Sequence, residues 1–211
     1  MMRLTAESIR NLGREPRVNL INSISGFKPA NLVGTVDGSG VTNLAIMTSV
    51  VHIGAAPPLL ALVVRPDSVE RHTLQNIRDT GVYTINHVAK SFVAAAHQTA
   101  ARYPKSCSEF EAVGLSEYWD PEFAAPFVSQ ASVKIGMRLE EEHHLAINGT
   151  HLLIGSLQLL LLPPDAMDTE GAIDPSTLDS VAVSGLDTYF EAKPIARFSY
   201  AKPDQPLKHL T

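Results

Sequence analysis

Arg65, His72 and Thr73 are the side chains of this sequence best suited to holding an anion, because they cluster at the start of a short helical pattern. A helix N-terminus offers free N–H groups and partial positive charge. Arg presents a planar fork to two oxygens, whereas Lys is a point charge. Lys105, followed by Ser106 and Ser108, forms a second polar loop that can reach the same anion. Thr48 and Ser49, at the end of a candidate strand, can offer hydroxyl and backbone donors to a polar ligand. Each residue also has a plain structural reading. Arg65 can end a strand in solvent, Thr73 can serve only as an N-cap, and Asn43 can only shape a hairpin exit.

Other chemistries lack their residues. Gly38-Ser39-Gly40 lies between two strands, has no third glycine in register and opens no helix, so it reads as a hairpin turn rather than a dinucleotide fingerprint. There is no Gly-x-x-x-x-Gly-Lys, no His-Glu-x-x-His and no Gly-x-Ser-x-Gly. His143 and His144 follow three glutamates, but strand neighbours point to opposite faces and do not readily share one ion. Cys107 is the single cysteine, so no intramolecular disulfide or Cys-based zinc site can form. Lys105 beside it can lower a thiol pKa, but a lone loop cysteine is more simply incidental.

The elements that must position these residues read as mostly β. Strands are expected at Val18–Ile24, Leu32–Val36, Val41–Thr48, Leu59–Val64, Val82–Val88, Ser132–Glu142, Leu152–Leu162 and Ile195–Tyr200. Asp37–Gly40 and Asn148-Gly149 should close hairpins. Short helices are expected at 6–12, at Thr73–Thr80 stopped by Gly81, and at Ser91–Arg102 with Ser91 as N-cap, while 163–175 reads as a loop. Many strands with few helices favour a closed or Greek-key barrel, since closure removes exposed edges.

The 211 residues suit one domain, 1–211, with no internal repeat and no long linker. A net charge of -5 argues against a broad nucleic-acid surface. The densest apolar run, Leu157–Leu162, is too short to span a bilayer, and the first residues lack a signal-peptide pattern. A cytoplasmic protein is expected. The leucines of 152–162 exceed what one face of a small barrel needs, which points to a covering partner surface.

Between Gly34 and Asn86 the order is strand, Asp-Gly turn, a strand opening on Thr42-Asn43, Met47-Thr48-Ser49, Pro57-Pro58, an apolar strand, Arg65-Pro66, His72-Thr73-Leu74-Gln75-Asn76-Ile77 and Gly81-Val82-Tyr83-Thr84-Ile85-Asn86. Ser108-Glu109-Phe110-Glu111-Ala112-Val113-Gly114-Leu115 and Asn148–Gly155 follow. This succession, over roughly residues 18–200, resembles the flavin-reductase-like family, flavoredoxins included. The resemblance implies a mainly β fold with a few helices, an FMN-binding split β-barrel of Greek-key type. It implies a homodimer with FMN near the interface, touching Asn43, Met47, Thr48, Ser49, Val64, Arg65, His72, Thr73, Lys105, Ser106 and Ser108. It also implies an NAD(P)H-dependent flavin reductase, with NADH or NADPH as donor and a partner oxygenase or reductase. An FMN electron carrier reduced by a partner protein and a flavin oxidase of a small substrate are the alternatives. Two departures bear on substrate access. Ser49 stands where many members carry an aromatic, and Ser184-Gly185-Leu186-Asp187-Thr188-Tyr189 has one glycine where members often have two before the Tyr.

Overall fold

The computed structural model describes residues 1–210. In chain order its elements are α1 (Ala6–Arg10), α2 (Arg14–Ser23), β1 (Lys28–Pro29), β2 (Asn31–Val36), β3 (Thr42–Met47), β4 (Val50–Ala55), β5 (Pro58–Val64), α3 (His72–Thr80) and β6 (Val82–His87). A short 3-10 turn at Lys90–Phe92 leads into α4 (Val93–Gln98), α5 (Glu109–Val113), β7 (Glu117–Tyr118) and β8 (Phe127–Val128). The long strands β9 (Lys134–Leu145) and β10 (Thr150–Leu161) come next, then β11 (Val181–Ser184), β12 (Thr188–Glu191), β13 (Arg197–Phe198) and β14 (His209–Leu210). Among the described residues no helix is long and apolar enough to cross a membrane.

The central feature is a seven-stranded antiparallel sheet in the order β3-β2-β6-β9-β10-β5-β4. Its two edges, β3 and β4, are separated in sequence only by Thr48 and Ser49. Three residue steps span at most about 10 Å. The sheet therefore curls until its edges come together at that end, leaving one unpaired seam. Side chains occupy the hydrogen-bonding groups that β3 presents to this seam. Leu44 N–H donates to Glu109 Oε2 at 2.9 Å, and Ile46 N–H donates to Thr99 Oγ1 at 2.9 Å. Edge donors that would otherwise recruit another strand are thus satisfied from the α4–α5 segment.

The barrel interior is filled by Val33, Leu62, Val64, Tyr83, Ile85, Ile135, Met137 and Leu153, with Leu74 and Ile77 of α3 packed against them. Burial pushes the Tyr83 phenol pKa up. A second cluster (Leu32, Leu44, Phe92, Ala96, Phe110, Val128, Val183) packs α4, α5 and β11 over the outer face of β2 and β3. The 123–127 segment packs against Val82, Leu159 and Leu161. That approach needs a bare backbone at two points. A Cβ on Gly34 would lie 2.4 Å from the Pro126 carbonyl oxygen, and one on Gly136 would lie 2.8 Å from the Phe123 ring. Asn86, fully buried, ties the layers together. Its Nδ2 donates to Leu32 O (3.1 Å) and Thr84 Oγ1 (2.9 Å), and its Oδ1 accepts from Val128 N–H (3.0 Å).

The expected barrel strands from Leu32–Val36 to Leu152–Leu162 are found within a few residues of their expected limits. Gly81 ends α3 in the left-handed region (φ 74°), where glycine carries no steric penalty. Several expectations are corrected. Val18–Ile24 is not a strand but the body of α2 and its C-cap. Pro16 sits in the first turn of that helix, where a missing N–H is tolerated, and Val18, Ile21 and Ile24 recur at helical spacing. Ser91 is not an N-cap: it lies inside the 3-10 turn, and α4 ends at Gln98 rather than Arg102. Thr73 is not the cap of α3, because Arg71 holds that position and makes no side-chain cap bond. Ile195–Tyr200 shrinks to the two-residue β13, paired with β14. The leucine surplus of β10 is mostly absorbed within the chain. Leu157 and Leu162 pack on the interior cluster and Leu159 and Leu161 on the 123–127 segment, leaving Leu160 exposed. Strands β4, β11 and β12 have no counterpart in the sequence reading.

Candidate functional site

A cavity of about 690 Å³ opens beside the seam, within the ~300–1,000 Å³ range of small-molecule sites. One wall is β3, contributing Asn43, Ala45, Ile46 and Met47, which continues through Thr48 and Ser49 across the seam. Val63, Val64 and Arg65 come from the end of β5, and Val69 to Thr73 from the loop and first turn of α3. The rest of the lining comes from His97, the Thr99–Tyr103 turn, Glu109, and Leu186, Asp187 and Tyr189 of the β11–β12 hairpin. The two ends of one sheet thus meet at one hole, which is why residues distant in sequence line it together.

Polar contacts fix the walls. Asn43 Nδ2 donates to Thr73 Oγ1 at 2.9 Å, and both residues are buried. This bond locks the first turn of α3 to β3 and leaves the Thr73 hydroxyl proton free to donate. His72 Nε2 is buried without a hydrogen-bond partner, 3.6 Å from Glu70 Oε2. An orphaned ring nitrogen on a cavity wall is a group prepared for a ligand or a water. His97 Nδ1 and Tyr189 Oη are 2.9 Å apart, with their rings edge-on. Lys28 Nζ donates to Asn22 O (2.9 Å) and Gly185 O (3.0 Å), anchoring the β11–β12 hairpin.

The charge balance near α3 is positive. Arg65, Arg71 and Arg102 all line the cavity. Among the described residues the arginines paired with carboxylates are Arg78, Arg138 and Arg197 instead. Burial, then the charges of Arg65 and Arg102, hold the Arg71 guanidinium below its ordinary value. Glu109 is 6% exposed, and its burial pushes its carboxyl up, opposed by the Leu44 N–H it accepts. A second network braces the arginine-bearing loop from behind. Arg78 binds Glu142 through two nitrogens (2.5 and 3.0 Å), and His151 Nδ1 lies 2.8 Å from the same carboxylate. His151 Nε2 lies 3.3 Å from Asp67 Oδ2, in the loop itself.

Of the residues singled out in the sequence, Asn43, Met47, Thr48, Ser49, Val64, Arg65, His72 and Thr73 line this one cavity. Lys105 faces an adjoining cleft that shares Val69, Glu70, Arg71 and His72 with it. Ser106 lines neither, and the Ser108 hydroxyl is 2.6 Å from Thr42 Oγ1. Sequence reasoning missed Arg71, Thr99, Arg102 and His97, while Tyr189 lay in the Ser184–Tyr189 stretch noted for substrate access. Arg71 adjoins His72 and could have been included; the others arrive through tertiary packing and leave no local signal. Glu109 lay inside a quoted segment, but its bond to the β3 edge is visible only in three dimensions.

Residues 27–168 match the flavin reductase like domain. The chain belongs to that family. Its fold is superimposable on the split barrel of a flavin-reductase-type protein from Shewanella frigidimarina NCIMB 400, with a TM-score of 0.92, 48% identity, and 95% of this chain and 100% of that one covered. Two more distant structures share the fold. Nitrilotriacetate monooxygenase component B from Bacillus cereus gives a TM-score of 0.81 at 22% identity, over 92% of this chain and 96% of that one. The flavoredoxin of Desulfovibrio vulgaris (Miyazaki F) gives 0.71 at 19%, over 96% and 98%. The split is the β3/β4 seam, and the cavity lies at it.

Proposed function

We propose that this protein is an FMN-dependent oxidoreductase that takes electrons from NADH or NADPH. The observation that carries the reading is the cavity at the seam of a flavin-reductase-like barrel. It joins an arginine-rich end without carboxylate partners to a strand-end pair of hydroxyl residues. Arg65 and Arg71, with Thr73 at the start of α3, suit a phosphate monoester. Thr48 and Ser49 offer donors for the ribityl chain and ring edge, while Met47 and Val64 give apolar contact to a flat ring. The orphaned His72 Nε2 adds one more polar group on the same side. Lys105 contributes charge from the adjoining cleft. FMN is preferred over FAD, because the chain has phosphate ligands without a dinucleotide fingerprint.

When bound, the flavin supplies the two-electron chemistry, accepting a hydride from the nicotinamide donor. The chain's own residues bind and orient it and exclude water. A homodimer belongs to the proposal. It is supported by exposed apolar side chains on edge strand β4 (Val51 51%, Ile53 47%) and before β1 (Phe27 70%), which a partner surface would cover. A partner oxygenase is supported by the fold shared with a monooxygenase component B. A cytoplasmic location accords with the lone cysteine.

The test is direct. Purified protein reconstituted with flavin is denatured and the released flavin identified; FMN at one per chain is expected. Anaerobic addition of NADH or NADPH alone should bleach it. Stoichiometric FAD, or no flavin affinity, overturns the cofactor assignment. Bleaching only with a partner reductase replaces the reductase reading with an electron carrier.

A further inference from the structure

We infer that Glu109 is a binding residue for the ligand's phosphate, and that it meets the phosphate as a neutral carboxylic acid whose O–H donates a hydrogen bond. The inference rests on the FMN reading above and adds a residue which that reading does not use.

Glu109 lines the cavity and is 6% exposed. The other acids of the lining, Glu70 and Asp187, are exposed to solvent. Among the described residues no cation pairs with Glu109. An acid buried without a cation favours its neutral form. The one bond that another residue makes to its carboxyl group is from Leu44 N–H, at 2.9 Å. A neutral acid accepts that N–H through its carbonyl oxygen as well as a carboxylate does, and its O–H is then left to donate.

Two observations put Glu109 at the anion end of the cavity. The N–H it accepts belongs to Leu44, and the neighbouring Asn43 donates to Thr73 Oγ1 in the first turn of α3. His72, in the same turn, acts on Glu109 through its charge. In the free protein, burial is the largest effect and pushes the carboxyl up, while the Leu44 N–H, the Glu109 N–H and His72 oppose it. The other titratable groups nearby are His97 of α4, bonded to Tyr189, and Arg102 in the turn after α4; β3 carries none. A bound phosphate brings about −1.5 to −2 of charge to the same end. Like-charge repulsion then adds to burial, and both favour the neutral acid. Binding must therefore restore a proton wherever the free protein has lost it. FMN affinity falls by up to about tenfold per pH unit above the free titration, until the bound form also titrates.

The experiment compares Glu109→Gln with the unchanged protein. Gln accepts from Leu44 and donates an N–H, but does not titrate. Dissociation constants for FMN and for riboflavin, which lacks the phosphate, are measured by flavin fluorescence between about pH 5 and pH 9. Glu109→Gln should bind FMN within about threefold of the unchanged protein at about pH 5, and at least about tenfold more tightly at about pH 9. For riboflavin the two forms should stay within about threefold throughout. Calorimetry at about pH 8, where the phosphate is already a dianion, in two buffers of different ionisation heat, should show proton uptake with FMN by the unchanged protein and none by Glu109→Gln. A ratio for FMN that does not change with pH, or a riboflavin ratio that follows it, overturns the inference while the FMN reading stands. Absence of proton uptake by the unchanged protein overturns it without recourse to the variant. Uptake that persists in Glu109→Gln assigns the proton to His72 and overturns it as well. Failure of the unchanged protein to bind FMN at any pH instead overturns the functional reading beneath it.

Discussion

Replacing Thr73 by Val tests the site at its best-defined contact. Thr73 Oγ1 accepts from Asn43 Nδ2 at 2.9 Å, both residues are buried, and Thr73 lines the cavity with its hydroxyl proton not engaged by the protein. The substitution nearly preserves shape but removes the acceptor, so Asn43 is left with an unpaired buried donor. Such an orphan costs about 1–3 kcal/mol. For a chain of this size that lowers the melting temperature by about 2–4 °C per kcal/mol. A second effect appears only with the cofactor. A hydroxyl donating to a charged phosphate contributes about 1.5–3 kcal/mol, so FMN should bind roughly ten- to hundredfold more weakly. Thr73→Ser keeps both hydrogen bonds and loses only a methyl group, so it should retain affinity and lose about 1 kcal/mol or less of stability. Urea unfolding of the flavin-free protein measures the first effect, and a flavin fluorescence titration the second. Thr73→Val protein that unfolds more easily yet binds FMN as tightly as before would refute the phosphate role. Unchanged stability would refute the Asn43 contact.

Three further outcomes are expected. Asn86→Ala removes three hydrogen bonds at a fully buried residue and orphans the Val128 N–H, so urea unfolding should show a loss of roughly 2–4 kcal/mol; a loss under about 0.5 kcal/mol would contradict the layer-tying role. Burial raises the Glu109 pKa in the folded chain, so the folded state keeps a proton that the unfolded state releases, and this contribution to stability is present below about pH 4.5 and lost as pH rises through the folded value. Glu109→Gln, which can still accept from Leu44, should therefore melt higher than the unchanged protein at neutral pH, with the gap closing below about pH 4; a gap independent of pH would count against it. Lys105 reaches the anion site only from the adjoining cleft, so Lys105→Ala should weaken FMN by less than about tenfold and less than Arg71→Ala does, with the loss shrinking at high salt; equal losses would place Lys105 directly on the phosphate.

Six of the seven barrel strands, all but β4, were legible because each carries its own signal. Val82–Asn86 alternates, Leu59–Val64 is continuously apolar, and Gly81 and Asn148-Gly149 mark stops and turns through a local backbone requirement. The proposed anion-holding residues that line the cavity were legible for the same reason, since Arg65, His72 and Thr73 lie within one short stretch at a helix start. Their neighbours were not. Val18–Ile24 has apolar residues compatible with two periods, and only the folded backbone shows that the helical one holds. Arg102, Thr99 and Glu109 come from segments whose local patterns say nothing of β3. Their place is decided by the curl of the sheet, because Leu44 and Ile46 at an unpaired edge need acceptors that only a distant segment can bring. The sequence by itself determined which residues could bind an anion and where six of the seven strands of the central sheet run. The tertiary structure alone decided that the sheet's two edges meet without pairing, and that unpaired seam gives the site its place, because a sheet closed by hydrogen bonds there would leave no cavity between its edges.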